Sequence, residues 1–291
     1  MRATLIDNET GEILSDNFHV ETLKDKQRKT QKAKENKLTK EFRDYQQQLC
    51  GYFFFFILNH IVELEKILND ANLVRFIYLG SYIKKDFGLG YFNNNTYFDK
   101  NKLKEILKMS DESFRLFFRT ITKNNLLIEL DDGTYKINEF IFYRGKERDY
   151  KKITGFKLDN FTRLYIKAVR TLYEQNYKHP TKLAIAYKLL PYTNWKWNVL
   201  CTNVEETNRK NLKLITIGDI MDTFNYNKRA VKRFSKDFYN IKFNDSVVFL
   251  SVQKQPEYLD SFICVNPLVS YRGTDIESLQ YLKTLFGIEN K

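Results

Sequence analysis

The chain has 291 residues, of which 43% are hydrophobic and 29% are charged, a balance that excludes wholesale disorder and allows two modest domains with separate cores. Its net charge of +12 favours a polyanionic partner, with nucleic acid preferred over a membrane surface. The spacing of the three cysteines does not fit a zinc site or a disulfide framework, which indicates a reducing cytoplasm. They are Cys50, Cys201 and Cys264.

The first 43 residues combine a predicted hairpin with a basic segment. Apolar residues flank an Asn-Glu-Thr-Gly turn within residues 4–14, which predicts two short strands. Between Lys24 and Arg43, nine lysines and arginines face three acidic residues, a local excess of +6. Such a run is usually a solvated linker, and the alternative is an arm that follows DNA phosphates.

A strongly aromatic segment follows at residues 42–68. Its large apolar side chains recur every three or four residues, which predicts one long helix. The longest apolar run, residues 49–58, is about half the length that a bilayer span requires. We expect this helix to pack in a protein core, with contact between domains or subunits as the alternative. A further helix is predicted over residues 72–85.

The pattern over residues 99–138 predicts two helices, a tight turn and a hairpin. Capping residues and apolar spacing mark a helix over residues 102–108 and a second helix over residues 111–123. An Asp-Asp-Gly turn then joins two strand-like segments. This order is that of a winged helix-turn-helix, whose second helix enters the major groove of DNA. That helix presents three cations at four-residue spacing: Arg115, Arg119 and Lys123.

The second half of the chain repeats this order. A charged, aperiodic segment at residues 146–160 predicts an inter-domain linker. Residues 161–172 then have the helical pattern of residues 73–83, and residues 217–223 match residues 103–109. The repeated order predicts a second helix-turn-helix.

The next predicted helix, over residues 226–239, is the strongest indication of nucleic-acid binding in the chain. Residues 246–252 and 261–265 supply its wing, with Pro256 in the loop. A solvated basic face is the alternative interpretation, and the position in the motif favours DNA contact. The apolar face is expected to bury Ala230, Val231, Phe234 and Phe238. The opposite face displays Lys228, Arg229, Lys232, Arg233 and Lys236.

A short pattern occurs twice, at residues 137–145 and 265–273. An asparagine, apolar residues and a Tyr-Arg-Gly triplet recur in the same order. Such self-similarity indicates a duplicated module, and two copies fit tandem domains rather than a solenoid. Because each copy follows a predicted wing, we expect it to close its domain. For Arg144 and Arg272 a structural contact is favoured over a phosphate contact.

The sequence contains no recognisable catalytic constellation. The three histidines are dispersed, so neither a histidine-based nuclease metal site nor a local zinc cluster is predicted. A glycine-rich phosphate loop with its lysine is also missing, which argues against an ATPase. We therefore predict no enzyme activity, no metal and no cofactor.

The first half resembles winged-helix proteins of Firmicute phages and plasmids, including the RepL-type replication proteins. The resemblance is carried by residues 73–79, the helix-turn-helix pattern, residues 132–138 and the Tyr-Arg-Gly at residues 143–145. Residues 5–12 are similar to the start of several of these proteins. The resemblance is clearest over residues 73–145. It implies a mobile-element protein that binds double-stranded DNA in the bacterial cytoplasm, at the nucleoid, and either starts replication or controls transcription.

We thus predict a mainly helical fold with small β-hairpin wings, formed by two tandem winged helix-turn-helix domains. Residues 1–40 are the predicted hairpin and basic arm. Residues 41–150 are the first domain, which begins with the aromatic helix, and residues 151–291 are the second, which ends in a helix over residues 276–286. The aromatic helix and the C-terminal helix are the candidate contacts for a homodimer.

The predicted function is sequence-specific binding of double-stranded DNA in transcription regulation or replication initiation. The alternative is an adaptor that recruits a polymerase, a helicase or a host factor and has only non-specific DNA affinity. No membrane partner is expected. The predicted DNA contacts are Arg115, Arg119, Lys123, Lys228, Arg229, Lys232, Arg233 and Lys236.

Overall fold

The computed structural model describes residues 2–19, 21–93, 96–253 and 261–289. Within them the chain is mainly helical with small antiparallel hairpins, which confirms the predicted fold class at that level. It divides into two compact units, an N-terminal unit (Met1–Tyr45) and a main unit (Gln46–Lys291). No helix of the described residues is long and apolar enough to span a membrane.

The N-terminal unit contains the predicted hairpin and most of a long helix. Strands β1 (Arg2–Ile6) and β2 (Ile13–His19) pair antiparallel, and Gly11 in their turn takes a φ of +72°. Helix α1 (Leu23–Cys50) contains the whole basic segment, so this segment is helical. Residues 21–41 are exposed throughout, as expected for a charged helix without an apolar stripe.

The main unit has two halves with nearly the same order of elements. The first half consists of β3 (Phe53–Ile57), α2 (Ile61–Ile67), α3 (Asp70–Gly80), α4 (Lys100–Leu107), α5 (Asp111–Lys123), β4 (Leu127–Glu129), β5 (Tyr135–Ile137), β6 (Phe142–Tyr143) and α6 (Glu147–Thr154). The second half consists of β7 (Phe161–Tyr165), α7 (Ile166–Asn176), α8 (Ala184–Lys188), α9 (Ile217–Thr223), α10 (Val231–Tyr239), β8 (Lys242–Phe243), β9 (Ser246–Val247), β10 (Phe249–Val252), β11 (Phe262–Val265), β12 (Ser270–Tyr271) and α11 (Ile276–Leu285). A 3-10 turn, Lys228–Ala230, directly precedes α10.

Strands from both halves form one four-stranded antiparallel sheet in the order β12-β7-β3-β6. Its register is centred on the facing pair Phe55 and Arg163. The outer strands attach at equivalent places, with Tyr143 of β6 opposite Phe55 and Tyr271 of β12 opposite Arg163. The four strands are therefore related by an approximate two-fold axis through the centre of the sheet. The predicted boundary between residues 150 and 151 lies between strands of this one sheet.

The predicted aromatic helix over residues 42–68 is wrong, because α1 ends at Cys50 and the next aromatic residues form β3. This strand has a neighbour on each side, and its residues from Phe54 onward are buried. A strand covered on both faces lacks the polar-apolar alternation that identifies strands in a sequence. The same reason explains why the start of residues 161–172, which is β7, resembles a helix.

Helices α3 and α7 join the two halves beside this sheet. The rings of Tyr78 and Tyr173 stack with their centroids 4.0 Å apart. The Arg170 guanidinium donates a hydrogen bond to the carbonyl oxygen of Ser81 at 2.7 Å. The Tyr173 hydroxyl donates to the carbonyl oxygen of Leu107 at 2.7 Å and thereby holds the end of α4. Buried polar contacts thus connect the second half directly to a helix of the first.

Two further predictions about the main unit have different outcomes. Residues 146–160, predicted as an aperiodic linker, contain α6, whose Tyr150 is 3% exposed. A helix of eight residues spans too few turns to show a convincing period in a sequence. The predicted C-terminal helix is present as α11, and its apolar residues Leu279 and Leu282 are fully buried within the described chain.

Candidate nucleic-acid interface

The α4–α5 module, residues 100–137, contains α4, α5 and the β4-β5 hairpin. The side chains of Asp99 and Ser110 accept hydrogen bonds from backbone amides and cap the starts of the two helices. Lys108, between the helices, takes a φ of +50°, which redirects the chain. Gly133 has a φ of +76° in the hairpin turn. The helices, the turn and the hairpin predicted for this segment are therefore confirmed.

Helix α5 is strongly amphipathic. Its buried face consists of Phe114, Phe117, Phe118 and Ile121. The predicted cations Arg115, Arg119 and Lys123 all lie on its exposed face, and none has an ion-pair partner in the part of the chain that the structure describes. The first turn is acidic, with Asp111 and Glu112 exposed and Asp111 paired with Lys104 of α4. From Asp111 to Lys123, three cations and two acids give a net charge of +1.

The α9–α10 module, residues 217–265, contains α9, the 3-10 turn, α10 and the strands that follow. A reciprocal capping box between Thr216 and Asp219 starts α9. Asn225 takes a φ of +55° between the helices, and the Asn227 side chain caps the 3-10 turn. Strands β10 and β11 pair as predicted for the wing. Residues 254–260, including Pro256, lie outside the described residues.

The 3-10 turn and α10 present a dense group of exposed cations. Lys228 pairs with Asp222 at 2.7 Å, and Arg233 lies 3.8 Å from Asp237. The other three cations, Arg229, Lys232 and Lys236, have no ion-pair partner among the described residues. From Lys228 to Tyr239, five cations and one acid give a net charge of +4. All five predicted cations are thus exposed together.

One part of the prediction for this helix is wrong. Ala230 is exposed and Val231 is 42% exposed, whereas both were expected on the buried face; Phe238 is buried as expected, and Phe234 is half-buried. The 3-10 turn has about three residues per turn, so it shifts the first residues out of phase with α10. The shift places Val231 among the cations. Leu116 of α5, 48% exposed, lies in a similar position and was not predicted. The position of Leu116 in the sequence, between Arg115 and Arg119, could have indicated that its side chain is exposed.

The repeated sequence pattern has the same structural role in both halves. Asn138 accepts a hydrogen bond from the amide of the second residue after it at 3.0 Å and donates to the carbonyl oxygen of Asn125 at 3.1 Å. Asn266 accepts from the equivalent amide at 2.9 Å and donates to the carbonyl oxygen of Val247 at 2.8 Å. The tyrosine hydroxyls, Tyr143 and Tyr271, each donate to a backbone carbonyl just beyond the pattern. The repeat therefore closes each half structurally.

The two arginines of the repeat make contacts within the fold. The Arg272 side chain is 7% exposed and lies 3.7 Å from the Glu205 carboxylate, and it donates to the carbonyl oxygen of Thr193 at 3.4 Å. The Arg144 guanidinium lies 3.5 Å from the centroid of the Phe92 ring. Burial lowers the pKa of both arginines. These structural contacts agree with the interpretation favoured from the sequence.

No group of three or more His, Cys, Asp or Glu side chains is placed to hold a metal ion among the described residues. The three cysteines are free and buried, and burial raises the pKa of Cys201 to about 11. Comparisons with protein-family models, with curated proteins and with solved structures gave no match to this chain.

Proposed function

We propose that the chain is a sequence-specific double-stranded DNA-binding protein with two winged helix-turn-helix modules. In this proposal α5 and α10 are the helices that enter the major groove, and the β4-β5 and β10-β11 hairpins are the wings. The observation that carries the proposal is the group of five exposed cations on the 3-10 turn and helix α10 of the α9–α10 module.

The exposed side chains match the chemistry of a DNA duplex. Lysines and arginines release counterions from phosphates and supply affinity that falls with salt. An arginine at the start of the helix, such as Arg229, can also donate two hydrogen bonds to a guanine edge. Leu116 and Val231, exposed among the cations, suit contact with thymine methyl groups. The two helices thus offer both phosphate contacts and base contacts.

The resemblance to mobile-element proteins favours a bacterial cytoplasmic role in replication initiation or transcription regulation. Mapping of bound sites in the host genome separates the two roles. Sites at an origin indicate initiation, and sites at many promoters indicate regulation. The adaptor alternative keeps only part of its expected contact surface, because Phe54, Phe55 and Phe56 are buried in β3.

The proposal is tested by selecting duplexes from a random double-stranded library with the full chain. We expect enrichment of one sequence, which should bind at least about 10³-fold more tightly than random duplex at physiological salt. An adaptor with only non-specific affinity binds both duplexes equally. Equal binding after several rounds of selection would therefore overturn the proposal.

A further inference from the structure

We infer that the two modules of one chain bind a single duplex as two unlike half-sites in inverted orientation and at a fixed spacing. This inference rests on the proposed function and specifies the class of DNA site. It follows from the symmetry of the sheet, the contacts between the halves and the different charges of the two helices.

The approximate two-fold relation extends beyond the central sheet. Each central strand, β3 or β7, is followed by a packed helix, a helix-turn-helix, a hairpin and an outer strand of the same sheet, with α2 added in the first half and α8 and the β8-β9 hairpin added in the second. In each half an asparagine at the end of the hairpin, Asn138 or Asn266, makes the same pair of backbone hydrogen bonds. The elements that follow β3 and β7 therefore correspond to one another, and α5 and α10 are corresponding helices.

This relation restricts how one straight duplex can meet both helices. If α5 and α10 bind the major groove in equivalent ways, the two-fold rotation that exchanges the helices must also exchange the two groove segments that they occupy. The two-fold axes of a straight duplex are perpendicular to the helix axis and exchange the strands. Half-sites bound by two-fold related modules therefore have opposite orientations, as in palindromic operators bound by dimers. Here a single chain supplies both modules.

The spacing between the half-sites is fixed by buried contacts. Tyr78 stacks on Tyr173, and the Tyr173 hydroxyl bonds to the end of α4, within the α4–α5 module itself. Arg170 adds a hydrogen bond across the same interface, to Ser81. All four side chains are buried or half-buried. A change in the distance between the modules would break these contacts. The half-sites on the duplex must therefore be spaced to match the distance between the modules.

The half-sites are unlike because the first turns of the two reading helices carry opposite charges. Counted from the N-cap residues, Asp111 and Glu112 of α5 occupy the places of Lys228 and Arg229. Carboxylates accept hydrogen bonds from the cytosine amino group, whereas lysine and arginine bind the acceptor edge of guanine. The two modules therefore select different bases from equivalent positions.

The orientation is tested by DNA cleavage from single introduced cysteines in the full chain. The native cysteines are buried, so an iron chelate coupled through a thiol reacts at the new residue. The variants D111C and K123C mark the two ends of α5, and K228C and K236C mark the α10 region. On the selected duplex, each variant should cleave near the DNA that its cysteine approaches. Along the duplex, we expect the cleavage sites of D111C and K123C in one half-site to occur in the opposite order to those of K228C and K236C in the other. The same order in both half-sites would overturn the inference.

The spacing is tested on the same duplex with unmodified protein, which avoids any effect on folding. Insertion of five base pairs between the half-sites turns one of them to the opposite face of the DNA. We expect affinity to fall by about 10²–10⁴-fold, to that of one half-site, because simultaneous binding is lost. Undiminished affinity would overturn the fixed spacing. If selection enriches no duplex, the proposed function itself has failed, which is a distinct result.

Discussion

The α4–α5 and α9–α10 modules share an order of elements and differ in electrostatics. Each has an ion pair between its first helix and the start of its reading segment, but the signs are exchanged: Lys104 with Asp111 in one module, Asp222 with Lys228 in the other. The net charge from the first residue to the last is +1 for α5 and +4 for Lys228–Tyr239. Most of the residues that repeat between the halves are buried or half-buried, and they close the fold. The residues that differ lie on the exposed faces of α5 and of Lys228–Tyr239.

The largest change in the salt dependence of DNA binding should appear when the cations of the α9–α10 module are removed. We expect K228Q/R229Q/K232Q/R233Q to lower the slope of log affinity against log salt by about 3 to 4, because each phosphate contact contributes about 0.9. The measurement is a salt titration on the selected duplex. The matched control R148Q/K151Q/K152Q/K157Q removes four exposed cations in and after α6 and should leave the slope unchanged. An equal decrease in the salt slope in both variants would mean that the net charge of the protein alone determines the slope.

A smaller decrease in the salt slope is expected when the cations of the α4–α5 module are removed. R115Q/R119Q/K123Q removes three exposed cations and should lower the salt slope by about 2 to 3. The same titration and the same control apply. If the slope stays at the wild-type value, α5 does not contact phosphates, and only the α9–α10 module binds DNA.

Reversing the acids of α5 should make the first module resemble the second. We expect D111K/E112R to raise the salt slope by about 2 on random duplex, because the first turn then faces phosphates with two cations. It should also reduce the preference for the selected duplex, since the carboxylate contacts are lost. The control E63K/E147R gives the same change in net charge at exposed positions elsewhere. A similar gain from the control would show that position is irrelevant.

The smallest expected effects are on protein stability. Equivalent substitutions in the two halves of the main unit should lower the stability by similar amounts. A Cβ atom at Gly145 or Gly273 would lie 2.6 Å from Cζ of Tyr143 or Tyr271, respectively. We expect G145A and G273A each to lower the free energy of unfolding by about 1–3 kcal/mol, measured by urea denaturation. The control G218A, on the exposed start of α9 with its nearest neighbour at 3.5 Å, should not destabilise. Unaltered stability in both test variants would contradict a structural role for the repeat.

The parts of the fold that the sequence predicted are those with local determinants. Capping residues and amphipathic spacing located α4 and α5, the match to residues 103–109 located α9, and an Asp-Asp-Gly turn located the first hairpin. All eight candidate cations are exposed, as their spacing away from the apolar stripe of each predicted helix indicated. The repeated pattern correctly indicated a duplication and its structural purpose.

The parts that the sequence could not predict depend on distant pairing. β3 and β7 are buried on both faces, so neither shows a strand period, and their pairing joins residues more than one hundred positions apart. The same pairing places both halves on one sheet instead of on two separate cores. Within the candidate site, the exposure of Val231 depends on a 3-10 turn that helical periodicity does not reveal.

A hydroxyl-radical footprint of the full chain on the selected duplex tests most directly whether one chain carries two DNA-reading modules. We expect two protected segments, one lost with R115Q/R119Q/K123Q and the other lost with K228Q/R229Q/K232Q/R233Q. A single short protected segment that neither variant changes would contradict the assignment of α5 and α10 as the reading helices.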